Sequence, residues 1–131
     1  YMTQSPMIFN TNILRNIDPE DLIKKKEIIQ NMKKLNLNLK KINTKYKDLV
    51  NILSGGEKQK ITILRSILKN KKILLFDEPT ANLDKKSEII FYNFIKSINN
   101  KIIVIVSHDL SKVNFPYKKI IIENMNIKIK D

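Results

Sequence analysis

A chain of 131 residues, 42% of them apolar, has the material for one domain with its own core, and no stretch in it approaches the roughly 18 consecutive apolar residues of a membrane span. It has no cysteine, which excludes a disulfide framework and thiolate metal sites. The formal charge of +12 raises nucleic acid or an anionic membrane surface as partners, but Arg15 and Arg65 are the only arginines, and a lysine surface without arginine forks and interleaved aromatics reads as a solvated face.

From Tyr1 to Ile17 the pattern is irregular, with Pro6 and several Asn, and predicts loop and short extended pieces. Asp18-Pro19-Glu20-Asp21 carries the marks of a helix start: Asp as N-cap, Pro at the first helical position, acids in the first turn. Leu22, Ile28, Met32 and Leu35 extend that helix to about residue 35. Residues 40–50, Lys-rich with Tyr46, Leu49 and Val50, suggest a second short helix. After Gly55 and Gly56 the spacing of Ile61, Leu64, Ile67 and Leu68 predicts an amphipathic helix over 57–69. The apolar run 73–76, ending at Asp77, predicts a strand buried on both faces, and 101–106 predicts another. Between them 87–98 returns to helical period through Ile90, Phe94, Ile95 and Ile98. Residues 120–122 and 127–129 suggest a closing hairpin. Strand alternating with helix means an α/β layer structure with a parallel sheet, and no repeat or Gly/Ser/Pro-rich linker divides it.

Two clusters carry chemistry. Ser54-Gly55-Gly56 opens a helix, where unpaired amides and a partial positive charge meet two residues without Cβ, so an anion can sit against the backbone beside a hydroxyl donor. A plain helix cap after a turn would look the same if the triplet stood alone. Further on, a strand ending in Asp77-Glu78 puts one carboxylate at the carboxyl edge of the sheet and a second just beyond it. An Asp there can hold a nucleotide's Mg²⁺, and the Glu can polarise an attacking water, although adjacent acids also serve simply to solvate a strand end.

In order and spacing these motifs resemble the nucleotide-binding domain of ATP-binding-cassette (ABC) ATPases. Leu53-Ser54-Gly55-Gly56-Glu57 with Gln59 is similar to the family signature, Asp77-Glu78 to the Walker B pair, and Pro79-Thr80-Ala81-Asn82-Leu83-Asp84 to the D-loop. His108, in Val106-Ser107-His108-Asp109, matches the switch histidine, and Gln4-Ser5-Pro6-Met7-Ile8-Phe9 with 13–17 is similar to the Q-loop segment of exporter-type members. The resemblance implies an incomplete P-loop NTPase-type domain: 1–17 the Q-loop segment, 18–50 the helical subdomain, and 51–131 the signature helix, Walker B, D-loop, switch histidine and last strands.

It also implies roles. Ser54, Gly55 and Gly56, with Glu57, would close on the γ-phosphate of ATP held by a second ABC domain in a head-to-tail dimer. Asp77 would hold Mg²⁺, with Gln4 contacting the metal and water, and Glu78 would orient the lytic water. Asp84 would speak across the dimer, His108 would sense the γ-phosphate, and a transmembrane domain or subunit would couple this to transport from the cytoplasmic face. Glu57 stands where many members have Gln, and Lys60 where Arg is usual. The family's Walker A loop precedes its Q-loop, whereas Gln4 is the fourth residue here and both glycines lie in the signature. The expectation is therefore a C-terminal portion of the domain, inactive by itself. The alternatives are a soluble ABC-type ATPase of DNA maintenance or translation, and a non-catalytic remnant.

Overall fold

The computed structural model describes residues 1–2, 5–42, 51–123 and 126–130. A short first helix, α1 (Ile13–Ile17), stands where loop was expected; Asn12 caps it, its side-chain oxygen accepting the Arg15 amide at 3.0 Å. The expected helix start at Asp18 is corrected. Asp18 closes α1, and its carboxylate accepts the Ile23 amide at 2.7 Å, while Asp21 takes φ 57°, a left-handed conformation that no α-helix accommodates. Helix α2 begins only at Lys25 and runs Lys25–Lys34, burying Ile28 and Met32. Of the short helix expected over 40–50, Leu39–Lys41 forms a 3₁₀ turn, and 43–50 lie outside the described residues.

The second half follows the sequence pattern closely. Helix α3 (Gly55–Leu68) is followed by β1 (Ile73–Asp77), α4 (Lys85–Lys96) and β2 (Ile102–Val106). β1 and β2 pair in parallel, from Ile73 opposite Ile102 to Asp77 opposite Val106. Met2 extends the parallel arrangement on the other edge of β1, its amide donating to the Leu75 carbonyl and its carbonyl accepting the Asp77 amide. A separate antiparallel hairpin, β3 (Lys119–Glu123) with β4 (Asn126–Lys130), ends the described chain.

All the helices send side chains to one core on one face of β1. Leu74 and Phe76 join Ile61 and Leu64 of α3, Phe91 and Ile95 of α4, and Met32 of α2, and the Phe76 ring meets Phe91 edge-on at 6.1 Å. The expectation of strands buried on both faces is also corrected. Ile73 is 62% and Ile102 63% exposed, and Leu75, Val104 and Val106 on the same face are exposed too.

A buried polar hub ties the first segment to α3. Asn16, fully buried, donates to the carbonyls of Phe9, Thr11 and Asn12, and its own oxygen accepts the Phe9 amide at 2.7 Å. Arg65 of α3 reaches it from the other side, donating to the Asn16 backbone oxygen at 2.6 Å and to its side-chain oxygen at 3.1 Å, with the guanidinium 4.1 Å over the Phe9 ring. Because each partner is desolvated, removing one strands the other. Asn16→Ala should lower the urea-unfolding free energy of the chain by about 2–4 kcal/mol, whereas exposed Asn38→Ala should cost no more than about 1 kcal/mol.

Candidate functional site

The loop ahead of α3 is closed by reciprocal capping. The Ser54 hydroxyl accepts the Glu57 amide at 3.2 Å, and the Glu57 carboxylate accepts the Ser54 amide at 2.9 Å. That leaves Gly55 and Gly56 in the first turn, whose amides have no intrahelical acceptor. Glu57 is held from a second direction: the Lys41 ammonium donates to both its oxygens, at 2.7 and 2.9 Å, and to the Ile52 carbonyl at 2.8 Å. Burial alone would raise the Glu57 pKa, but the hydrogen bonds and charge of Lys41, with the Ser54 amide, hold it below the usual carboxylate value.

The two glycines differ in what they face. A Cβ on Gly56 would stand 3.1 Å from the Asn82 carbonyl oxygen, whereas one on Gly55 would meet nothing nearer than the Asn82 Cβ at 3.9 Å. Gly56 thus lets the turn after β1 lie against α3, and Gly55 stays open to solvent. Between α3 and that turn lies a cavity of about 380 Å³, reached by Ser54, Gly55 and Gly56 from one helix and by Asn82, Asp84 and Ser87 from the start of α4. Asp84 caps α4, its carboxylate accepting the Ser87 amide at 2.7 Å, which holds the Asp84 pKa low. Lys60, only 7% exposed, lines the same cavity and donates to the Asn36 carbonyl at 3.4 Å; burial pushes its ammonium pKa down, against the charges of Asp84 and Glu57.

The carboxylate edge is a second locus. Asp77 ends β1, partly buried, with one carboxylate oxygen 3.3 Å from the Tyr1 hydroxyl. Glu78 follows at φ 44°, a strained conformation for a residue with a Cβ. Several contacts over-determine it. Its amide donates to the Val106 carbonyl, its own carbonyl accepts the Ala81 amide, and the buried Gln59 side chain of α3 donates to the next carbonyl, that of Pro79, at 3.0 Å. The resulting backbone aims the Glu78 carboxylate at the end of β2, where one oxygen accepts the His108 amide at 3.1 Å and lies 3.3 Å from the His108 ring nitrogen.

The structure therefore brings Glu78 and His108 together, with Asp77 adjoining, and separately gathers Ser54, Gly55, Gly56, Glu57 and Asp84. Gln59 links the two groups through α3. Gln4 lies outside the described residues. Among the described residues no three His, Cys, Asp or Glu cluster closely enough to hold a metal ion by protein side chains alone. Sequence reasoning gave no role to Lys41, whose contact with Glu57 no local pattern announces.

A family model described as ABC transporter matches residues 1–81. The chain belongs to the ABC transporter family. It is 32% identical over 137 aligned positions to ATP-binding cassette sub-family B member 5 of Mus musculus, an alignment covering 97% of this chain and 11% of that protein. It is 35% identical over 109 positions to the lipoprotein-releasing system ATP-binding protein LolD of Buchnera aphidicola, covering 79% of this chain and 48% of that one. Among solved structures, a dimeric post-hydrolysis state of an ATP-binding cassette bound to ADP and Pi superposes with a TM-score of 0.78 and 25% identity, over 97% of this chain and 60% of the other. The fold is that of an ABC cassette, and the chain spans about half of one curated relative and a tenth of the other.

Gly55→Ala should raise the urea midpoint, since Ala is favoured in a helix by up to about 1 kcal/mol. Gly56→Ala should lose that gain and fall below wild type by about 1 kcal/mol, because the Asn82 carbonyl must give way. The Glu57 pKa is depressed on folding, so its contribution is complete above the unfolded value and disappears as pH falls through the folded one. Acidification from about pH 6 to about pH 3 should therefore lower the unfolding free energy of wild type more than that of Glu57→Gln.

Proposed function

We propose that this chain is the signature-bearing portion of the ATP-hydrolysing domain of an ABC transporter, with 1–17 as its Q-loop segment, 18–50 as its helical subdomain and 51–131 carrying the reacting edge. The separation of the two loci carries the reading. A cavity open beside Ser54, Gly55 and Gly56, at the opposite end of α3 from the Asn16–Arg65 hub, suits a phosphate presented by another molecule. Asp77, Glu78 and His108 stand at a different edge and suit the chain's own nucleotide. A head-to-tail pair of such domains would use both, and the dimeric state of the cassette bound to ADP and Pi supports a paired arrangement.

In this reading ATP with Mg²⁺ supplies the phosphoryl group and the metal charge, while the protein positions and polarises. Asp77 would hold Mg²⁺, and Gln4 would contact the metal and the water. The Glu78 carboxylate, fixed by its left-handed backbone, accepts a hydrogen bond from the attacking water and aims its lone pair. His108 stands on the same carboxylate oxygen and reports the charge opposite it. Ser54 and the Gly55 and Gly56 amides supply dipoles to the partner's terminal phosphate, and Asp84 fixes the start of α4 at the dimer face. No described helix is long and apolar enough to cross a membrane, so attachment at the cytoplasmic face would come through a transmembrane domain or subunit. These 131 residues hold no Gly-rich loop ending in Lys-Ser or Lys-Thr.

The chain alone should hydrolyse ATP no faster than a Glu78→Gln control, measured as phosphate release. In the complete transporter Glu78→Gln should lower kcat about 100-fold or more while nucleotide binding persists. Equal turnover in the two full-length proteins would remove Glu78 from the reaction.

A further inference from the structure

A carboxylate in the first turn of α3 poses an electrostatic problem for the seat proposed above. An acid there is favourable to the helix, but it competes with any incoming anion for the same partial charge. Glu57 lines the cavity with Ser54, Gly55 and Gly56, and a bare negative charge at that distance would repel a phosphate. The structure places a counter-ion there from a distant part of the chain. Lys41 ends the 3₁₀ turn Leu39–Lys41, and its ammonium spans both Glu57 oxygens and the Ile52 carbonyl. All three of its protons are thereby assigned, two to the carboxylate and one to the backbone just ahead of the seat. The pair is sheltered, at 22% and 19% side-chain exposure, so solvent screens it less than a surface pair.

We infer that Lys41 is a positioning residue of the phosphate seat: by neutralising Glu57 it keeps Ser54, Gly55 and Gly56 at a local charge that an anionic phosphate can approach. Resting on the seat reading above, this assigns to the helical segment a direct part in phosphate recognition without contact with the phosphate. Lys60, on the same helix as Glu57, also lines the cavity, and the charges of Asp84 and Glu57 both act on its ammonium.

Gly55 and Gly56 are the only glycines of the chain, so their amide signals in a ¹H–¹⁵N spectrum report the seat without ambiguity. Inorganic tripolyphosphate is titrated at low ionic strength into the 131-residue wild type, Lys41→Met, Lys41→Arg, Glu57→Gln and the double variant Lys41→Met/Glu57→Gln. Lys40→Met serves as the charge-matched control, because Lys40 is exposed and its removal changes the net charge equally. Lys41→Met should weaken the saturation of the glycine shifts about 3- to 10-fold relative to Lys40→Met. Lys41→Arg should stay within about twofold of wild type, and the double variant should recover to the level of Glu57→Gln, since Gln keeps the cap and carries no charge to compensate. Equal affinities of Lys41→Met and Lys40→Met would overturn the inference, as would a double variant no better than Lys41→Met. If Lys41→Met does not fold, the comparison of Glu57→Gln with the double variant decides: equal affinities support charge compensation, and a further loss contradicts it. Glycine signals in wild type that do not move at all would overturn the seat reading itself, and this inference with it.

Discussion

Helix α3 lies so close to the turn after β1 that a single Cβ would crowd it. Gly56 stands against the Asn82 carbonyl, and one turn further along the helix the Gln59 amide reaches the Pro79 carbonyl. These contacts make one rigid unit of two features that differ in chemistry: a helix N-terminus open to an anion, and a strained residue whose carboxylate faces the end of the neighbouring strand. The strain at Glu78 is held because its neighbours on three elements fix it, through the Val106 carbonyl of β2, the Ala81 amide of the turn and Gln59 of α3. In the proposed dimer this unit sits between two nucleotides, so a shift of the seat by a partner's phosphate is also a shift of the Glu78 turn.

Electrostatics around the seat are balanced rather than simply basic. The chain carries +12 overall, yet the cavity is lined by two acids, Glu57 and Asp84, and the positive charges facing them are Lys60 and, through Glu57, Lys41. The excess lysine lies elsewhere. In the reading proposed above, recognition of a phosphate at this place would depend on oriented amides and a neutralised carboxylate, which is short-ranged and directional, and not on the field of the whole chain.

Most of the second half was legible in the sequence because each element there is specified locally. The Ile61, Leu64 and Ile67 spacing marked α3, which the structure begins at Gly55 rather than at 57, and the run before Asp77 marked β1. The first half misled where one local signal had two readings. Asp18-Pro19 has the composition of a helix start, but the Asp18 carboxylate is used by the Ile23 amide in a turn, and Asp21 turns left-handed before α2 can begin. Strand burial misled differently: an apolar run reports that a strand can be covered on both faces, not that the described residues cover it. The Asn16–Arg65 hub and the Lys41–Glu57 pair were beyond local reading, since each joins residues far apart in sequence through geometry that only the fold creates.

The rigid coupling of α3 to the carboxylate turn is tested most directly by hydrogen exchange in Gln59→Leu. The amides of Ala81 and Leu83 donate to the Glu78 and Thr80 carbonyls within the turn, and the Lys58 amide donates to Ser54 within the helix. If Gln59 holds the turn, the Ala81 and Leu83 amides should exchange about tenfold or more faster in the variant while Lys58 is unchanged, the loss of one buried hydrogen bond. Unchanged protection at Ala81 and Leu83 would mean that the turn holds its strained form unaided, and the coupling between seat and carboxylate would fall.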